Sequence, residues 1–423
     1  MRPEDYLVPS LADDFPNIPI ERAEGPYAFD PSGKKYLDFI GGMAACNIGH
    51  CHPRVVEAIE RQARVLIHGP AGVMFYKGLS ELSEELVRIL PAGIDRFFYG
   101  NSGSEAIEGG VKLARYVTER PNVVAFLGGF HGRTFGSVAL TASKAKYKRH
   151  YDPLPAGIYH SPYPHVYRNR YSDDPEQVSR ACLGALDDLF THVAEPSSVA
   201  AILVEPVQGE GGYVVPPVSF LRGLRERCDR HGILLIYDEI QTGFGRTGSM
   251  FAAQTFGVVP DIFSLAKGIA SGLPLSVVAT TRELSDRWSA GSHGTTFGGN
   301  PVACAAAVAT LQVIQEEDLC KRARDMGSRL MKGLHDLAGR HDAVGDVRGV
   351  GLMAGMEFVR SRETREPAPE QLQSLLQGAL EKGLFLYPAG VHDNVVRFIP
   401  PLNIDESHVD FALSVIDEVL SAG

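Results

Sequence analysis

Two hydrophobic periods alternate along most of this chain. HPRVVEAIERQARVL, which begins at His52, carries apolar residues at i, i+3 and i+4, and GLSELSEELVRIL repeats that spacing. Both predict amphipathic helices. NSGSEAIEGGVKLARYVTE opens another. Between the helical stretches stand IDRFFYG, VVAFLGG, AAILVEP, ILLIYDE and DIFSLAK, short apolar runs of strand length that lead into Gly-rich or polar loops. Repetition of strand, loop and helix predicts an α/β fold, with a mostly parallel sheet covered by helices on both faces.

The pattern changes at both ends. Around a Pro-Ser-Gly turn, GPYAFDPSGKKYLDF alternates apolar and polar positions and predicts a strand pair. Near residue 305 strands give way to one long helical pattern, NPVACAAAVATLQVIQEEDLCKRARDMGSRLMKGLHDLA. VRGVGLMAGMEFV, GLFLYPAG and NVVRFIPPLNI then predict strands, and ESHVDFALSVIDEVL a final helix. We expect an N-terminal arm over 1–55 that belongs partly to a small domain, a large domain over 56–308, and a smaller α+β domain over 309–423. The aromatic, Pro-rich stretch from His150 to Pro175 is expected to be a connection over a site or interface.

With 423 residues the chain is too long for one core, in keeping with that division. A formal charge of −10 argues against a nucleic-acid partner, which needs an excess of Lys and Arg. The six cysteines form no CxxC pair, so a reducing compartment is the simpler expectation. MRPEDYLVPSLADDFPNIP has no apolar core of a signal peptide, and no apolar run approaches the ~18–20 residues that span a bilayer. The expected location is the cytoplasm, away from membranes.

Residues at the carboxyl ends of parallel strands line the ligand crevice in such folds. Here those positions hold Gly103 and Ser104, Phe130 to Arg133, Glu205 and Glu210, Asp238 and Gln241, and Lys267. GNSGSEAIEGG is a strand-to-helix turn whose free N–H groups suit a phosphate, although a plain Gly-rich turn with a Ser cap gives the same pattern. Asp238 directly follows an apolar run, where a carboxylate needs a cation or donors. Either a protonated ring nitrogen or a structural ion pair satisfies it. Lys267 ends an apolar strand among small residues, and no acid lies between Asp261 and Glu283 to pair with it. Desolvation there lowers an ammonium pKa and yields the neutral amine of a Schiff base. A lone Lys would simply snorkel outward. The co-occurrence of phosphate turn, Asp and Lys favours pyridoxal 5′-phosphate (PLP) chemistry.

NSGSEA, GGFHGRT, VEPVQGEGG, YDEIQTGFGRTG, SLAKGIASGLP, TTFGGNPVACAA and RFIPPL stand in that order. In these motifs, over nearly its whole length, the chain resembles the class III PLP-dependent aminotransferases of fold type I. The resemblance implies that Lys267 is the Schiff-base Lys and that Asp238 faces the ring nitrogen. It implies that Phe130 stacks on the ring, with His131 beside it, and that Gly103 and Ser104 hold the phosphate. Gln241 falls where the family contacts the phenolic oxygen. Thr296 falls where a neighbouring subunit completes the phosphate site, which implies a homodimer with active sites at the interface.

Substrate contacts are expected from Met43, Arg133, Glu205, Glu210 and Arg397. Arg133 can bind a carboxylate bidentately. Resemblance to the 4-aminobutyrate and ornithine branches implies that Glu210 covers Arg397 when an ω-amino substrate binds. It swings away for the oxo acid. Met43 lacks the hydroxyl of the ornithine branch. The expected activity is an ω-aminotransferase that takes a 4-aminobutyrate-like donor and 2-oxoglutarate in a ping-pong mechanism. Acetylornithine-type transamination and amino-acid racemisation or epimerisation on the same cofactor are the alternatives. A regulator that uses this fold would need an added basic DNA-binding domain, which the pattern does not contain. CNIGHCHP crowds Cys46, His50, Cys51 and His52 together without zinc spacing, so no metal site is expected.

Overall fold

The computed structural model describes residues 6–8, 10, 18–169 and 171–422, so most of the MRPEDYLVPSLADDFPNIP stretch lies outside it. Strands β1 (Arg22–Glu24), β2 (Tyr27–Phe29) and β3 (Lys35–Asp38) form an antiparallel meander. The DPSG turn closes it through Asp30, whose Oδ1 accepts the N–H groups of Ser32 and Lys34.

Seven strands form the central sheet: β4 (Ile94–Gly100), β5 (Asn122–Phe126), β6 (Ile158–Ser161), β7 (Val199–Val204), β8 (Leu234–Asp238), β9 (Ile262–Leu265) and β10 (Ser276–Thr281). Their order is β4-β10-β9-β8-β7-β5-β6, and all run in one direction except β10. Every residue of β7 and β9 is buried, as expected of strands covered on both faces. Alternation along each strand divides the core in two. Val123, Ala125 and Ile236 pack with Ile107 and Leu113 of the Gly103–Thr118 helix. Val124, Phe126, Leu235 and Tyr237 point the other way, toward Phe220 and Leu224 of the Val218–His231 helix. The Gly103–Thr118 helix lies close on the sheet because Gly109 carries no side chain: a Cβ there would sit 2.9 Å from Val278 Cγ2. That fit aims the helix N-terminus over the strand ends.

Strands β11 (Val344–Val350) and β12 (Met353–Phe358) precede β13 (Leu384–Phe385), β14 (Tyr387–Ala389) and β15 (Val395–Phe398). Four of these form an antiparallel sheet in the order β11-β12-β15-β14, and β13 pairs in parallel with β3 of the arm. The architecture is that of a large, mostly parallel α/β sheet with a smaller antiparallel sheet and a small mixed one beside it.

Three local expectations change. The 150–175 connection contains β6, which pairs with β5 and is only partly buried as the sheet's edge strand. Four residues between Pro- and Tyr-rich flanks give too short a signal to find. β10, in LPLSVVATT, is a buried strand that the pattern did not single out. The long helical stretch is two helices, Pro301–Glu316 and Leu319–Arg340, parted where Asp318 takes a left-handed φ of 47°. Pro301–Glu316 packs on Pro53–Ala63 and Lys77–Ile89 and runs across the 308/309 boundary.

Candidate active site

The carboxyl ends of β4, β5, β7, β8 and β9 converge on a cavity of about 500 Å³. Its walls include Met43, Gly103, Ser104, Phe130, His131, Arg133, Glu205, Glu210, Asp238, Gln241, Lys267 and Arg397. Of the residues singled out from sequence, only Thr296 stands elsewhere. It is exposed on its own chain, outside that wall.

Register explains the central pair. β8 sets Asp238 against Ser264 of β9, and Lys267 follows three residues later. The backbone turns sharply there, with Lys267 at a left-handed φ of 47°, a conformation that stores strain in a non-Gly residue. Burial pushes the Lys267 ammonium below its ordinary value; Arg397 adds to the effect, while Asp238, Glu205 and Glu210 oppose it. Asp238 is buried, with Oδ2 2.8 Å from His131 Nδ1 and Oδ1 accepting the Ile240 N–H at 3.1 Å. His131 is fixed in turn by its backbone N–H, which donates to Thr141 Oγ1 at 2.9 Å.

β4 leads into Ser102, whose hydroxyl caps the Gly103–Thr118 helix by accepting the Glu105 N–H at 3.3 Å. The N–H groups of Gly103 and Ser104, in the first turn, have no carbonyl partner within the helix. A Cβ at Gly103 would meet Ile240 Cδ1 at 2.9 Å, so a larger residue here would have to push the Ile240 side chain aside. The Gln241 side chain carries a buried Oε1 without a hydrogen-bond partner among the described residues.

Glu205 accepts the Phe130 N–H at 2.8 Å and the Gly209 N–H at 2.9 Å, and so braces the loop that presents Phe130. Burial pushes its carboxyl up to about 7, with Asp238 adding to the rise and His131 opposing it. Arg133 is exposed in the cavity. Among the described residues no carboxylate pairs with it; its guanidinium lies 4.3 Å from the Tyr147 ring centre. Arg397 is buried and bonds Glu210 Oε2 through Nη2 at 2.6 Å. Burial pushes the Glu210 carboxyl up, but Arg397, Lys144 and Tyr147 together hold it below its ordinary value. Met43 projects from a left-handed turn over Gly41–Ala44, and the Asp38 carboxylate holds that turn by accepting the N–H groups of Ile40, Gly41 and Gly42.

Sequence reasoning missed Tyr147 and Lys144 behind Glu210, and Tyr387 over Arg397. The hint was SKAKYK, a basic and aromatic run just after the short Phe135–Leu140 helix that follows Arg133. The CNIGHCHP segment is committed elsewhere: His50 Nε2 bonds Asp38 Oδ2 at 2.7 Å, and Cys51 is exposed. Among the described residues no three His, Cys, Asp or Glu side chains converge on a metal position.

A cavity that offers an open helix N-terminus, an amine of lowered pKa beside a buried carboxylate, and an unmatched amide oxygen fits a group carrying phosphate, aldehyde and ring nitrogen. Comparison with known proteins agrees. The aminotransferase class-III family model matches residues 10–420. The 5-aminovalerate aminotransferase DavT of Pseudomonas aeruginosa is 40% identical, over 94% of this chain and 92% of its own. The 4-aminobutyrate aminotransferase GabT of Escherichia coli is 37% identical, over 99% and 97%. An alanine/serine racemase of Pyrococcus horikoshii is 38% identical, over 96% and 86%. Among solved structures, the taurine:2-oxoglutarate aminotransferase of Bifidobacterium kashiwanohense, in complex with PLP and glutamate, superposes with a TM-score of 0.93 at 30% identity, covering 99% of this chain and 96% of that one. The chain belongs to the class-III aminotransferases. It is a PLP-dependent transaminase of fold type I, which exchanges an amino group between an amino donor and an oxo acid.

Proposed function

We propose that this transaminase takes its amino group from an ω-amino monocarboxylate of the 4-aminobutyrate type and delivers it to 2-oxoglutarate, both substrates using one cavity in turn. The observation that carries the reading is the 2.6 Å pair between Glu210 and Arg397 beside Arg133, which has no carboxylate partner among the described residues. With Arg397 neutralised, the cavity offers one cation to a donor that has one carboxylate. With Glu210 displaced, it offers two cations to a dicarboxylate. The relatives named for 5-aminovalerate and 4-aminobutyrate support this donor class.

When bound, PLP supplies an aldehyde that bonds primary amines and a ring that accepts the electron pair left when a substrate carbon loses a proton. Lys267 Nζ would hold the cofactor and, once freed, would take the proton from the substrate carbon and deliver it to the carbon that was the aldehyde's, which is what separates transamination from racemisation. Asp238 presents a buried negative charge to the ring nitrogen, and His131 keeps that carboxylate in place. Gly103 and Ser104 would hold the phosphate through N–H groups, Phe130 would cover the ring, and the Gln241 amide would donate to the phenolic oxygen. Arg133 orients the substrate carboxylate. Glu205 acts through the Phe130 loop, and Met43 bounds the donor side.

Thr296 enters this scheme from a second copy. Val65, Val73, Phe75 and Phe297 are exposed, and Asn300 Nδ2 donates to Ile67 O at 2.9 Å, so the 65–76 stretch and the Thr296 loop make one apolar surface. Sedimentation should give the mass of two chains, and a single-chain mass would count against a shared site.

Arg133→Ala should raise the KM for 4-aminobutyrate by about 10²-fold or more, as loss of a charge-assisted carboxylate contact implies; an unchanged KM refutes the role. Glu210→Ala should impair the donor half-reaction about tenfold more than the oxo-acid half, because Arg397 is left uncovered. Equal loss in stopped-flow traces of the two halves would contradict the switch.

A panel of donors with 2-oxoglutarate, including 4-aminobutyrate, 5-aminovalerate, ornithine and N-acetylornithine, tests the substrate class. Conversion of an ω-amino monocarboxylate to the semialdehyde with stoichiometric glutamate is expected. The similarity to a racemase defines the opposing result: a single chiral amino acid that loses optical rotation without an oxo acid, at constant concentration.

A further inference from the structure

If Glu210 leaves Arg397, its charge needs another partner inside the protein, since an unpaired carboxylate buried there would oppose the movement. The wall behind Glu210 supplies one. Oε2 faces Arg397 Nη2, while Oε1 accepts the Tyr147 hydroxyl at 3.0 Å and lies 3.8 Å from Lys144 Nζ. The Lys144 side chain is 8% exposed, and its ammonium also pairs with Asp393, whose carboxylate is half open to solvent. Lys144 heads the short 145–147 turn that carries Tyr147, so one backbone segment fixes both partners. The cation is thus buried, anchored, and at 3.8 Å already in ion-pair range of Glu210 but just beyond a hydrogen bond.

We propose that Lys144 is the second seat of Glu210: it receives the carboxylate released from Arg397 and so sets how readily the cavity admits a dicarboxylate. The inference rests on the two-carboxylate reading above and adds a residue to it. Two positions of one carboxylate share the site. With Glu210 on Arg397 the cavity takes monocarboxylates at Arg133; with Glu210 on Lys144, hydrogen-bonded by Tyr147, both guanidiniums face the ligand. A ligand shifts such a balance only by its differential affinity for the two positions, so removing the second seat weakens dicarboxylates selectively. Lys144 is a positioning residue, since it acts on the substrate through Glu210.

The test is calorimetric titration of the holoenzyme with two unreactive probes, glutarate and butyrate. Lys144→Met should weaken glutarate at least tenfold and change butyrate less than threefold, and Lys144→Arg should restore glutarate to within threefold of the wild type. Because the readout is a ratio between two ligands on the same folded sample, partial loss of folded protein does not imitate it. Arg397→Ala, run alongside, separates the two ideas. If Arg397→Ala loses glutarate and Lys144→Met does not, the second seat is overturned and the two-carboxylate reading stands. If neither affects glutarate, both fall. Equal weakening of glutarate and butyrate by Lys144→Met would also overturn the proposal.

Discussion

Lys267→Ala is expected to lower kcat/KM by at least about 10³-fold, because on the proposed assignment it removes both the amine that holds the cofactor and the base that moves the substrate proton. Proton transfer by a positioned side chain is by itself worth roughly 10²–10⁴-fold. The environment of Lys267 suits that work: a half-buried ammonium pushed below its ordinary value, on a left-handed backbone at a strand end. A small primary amine added to Lys267→Ala should recover part of the rate, and steady-state kinetics with and without methylamine reads this directly. A variant that retains more than a tenth of the wild-type rate would remove Lys267 from the mechanism.

The second large effect is expected at Asp238. Deleting one partner of a buried, hydrogen-bonded charge pair costs about 3–5 kcal/mol, or roughly 10²–10⁴-fold if the loss falls on the transition state. Asp238→Ala removes the charge and also strands His131, whose Nδ1 lies 2.8 Å from Asp238 Oδ2. Asp238→Asn keeps a side chain able to bond His131 and isolates the charge. Both should lower kcat far more than they raise KM. A slow Asp238→Ala beside a near-normal Asp238→Asn would make the residue a scaffold for His131 instead of a charge opposite the ring.

These two residues were also the most legible in the sequence, for a physical reason. A parallel sheet places its ligand crevice at strand ends, so a polar residue that directly follows an apolar run is a candidate site residue by position, and several together outweigh the structural alternative for each. That logic located Asp238, Glu205, Lys267 and the Gly103 turn. Resemblance to the 4-aminobutyrate and ornithine branches then tied Arg397 to Glu210, and the structure places the two 2.6 Å apart although 187 residues separate them. What escaped were partners fixed by tertiary packing. Tyr147 and Lys144 sit in a short turn with no periodic pattern, and their contact with Glu210 depends on how that turn folds over the 209–212 loop. β6 escaped because an edge strand of four residues has little burial to mark it. The break at Asp318 escaped because LQVIQEEDLCKRAR keeps a helical composition across the kink.

Thr296 illustrates a further limit. On its own chain it is an exposed residue beside an exposed Phe297, and nothing in one chain's packing gives it a task. The role proposed for it needs a second copy of the chain to cover the exposed 65–76 stretch.

Borohydride reduction of the holoenzyme, followed by proteolysis and mass mapping, tests the central assignment most directly. A single peptide carrying reduced PLP on Lys267 is the predicted product, lost in Lys267→Ala. Reduced cofactor fixed to any other lysine, such as Lys144, would contradict the account.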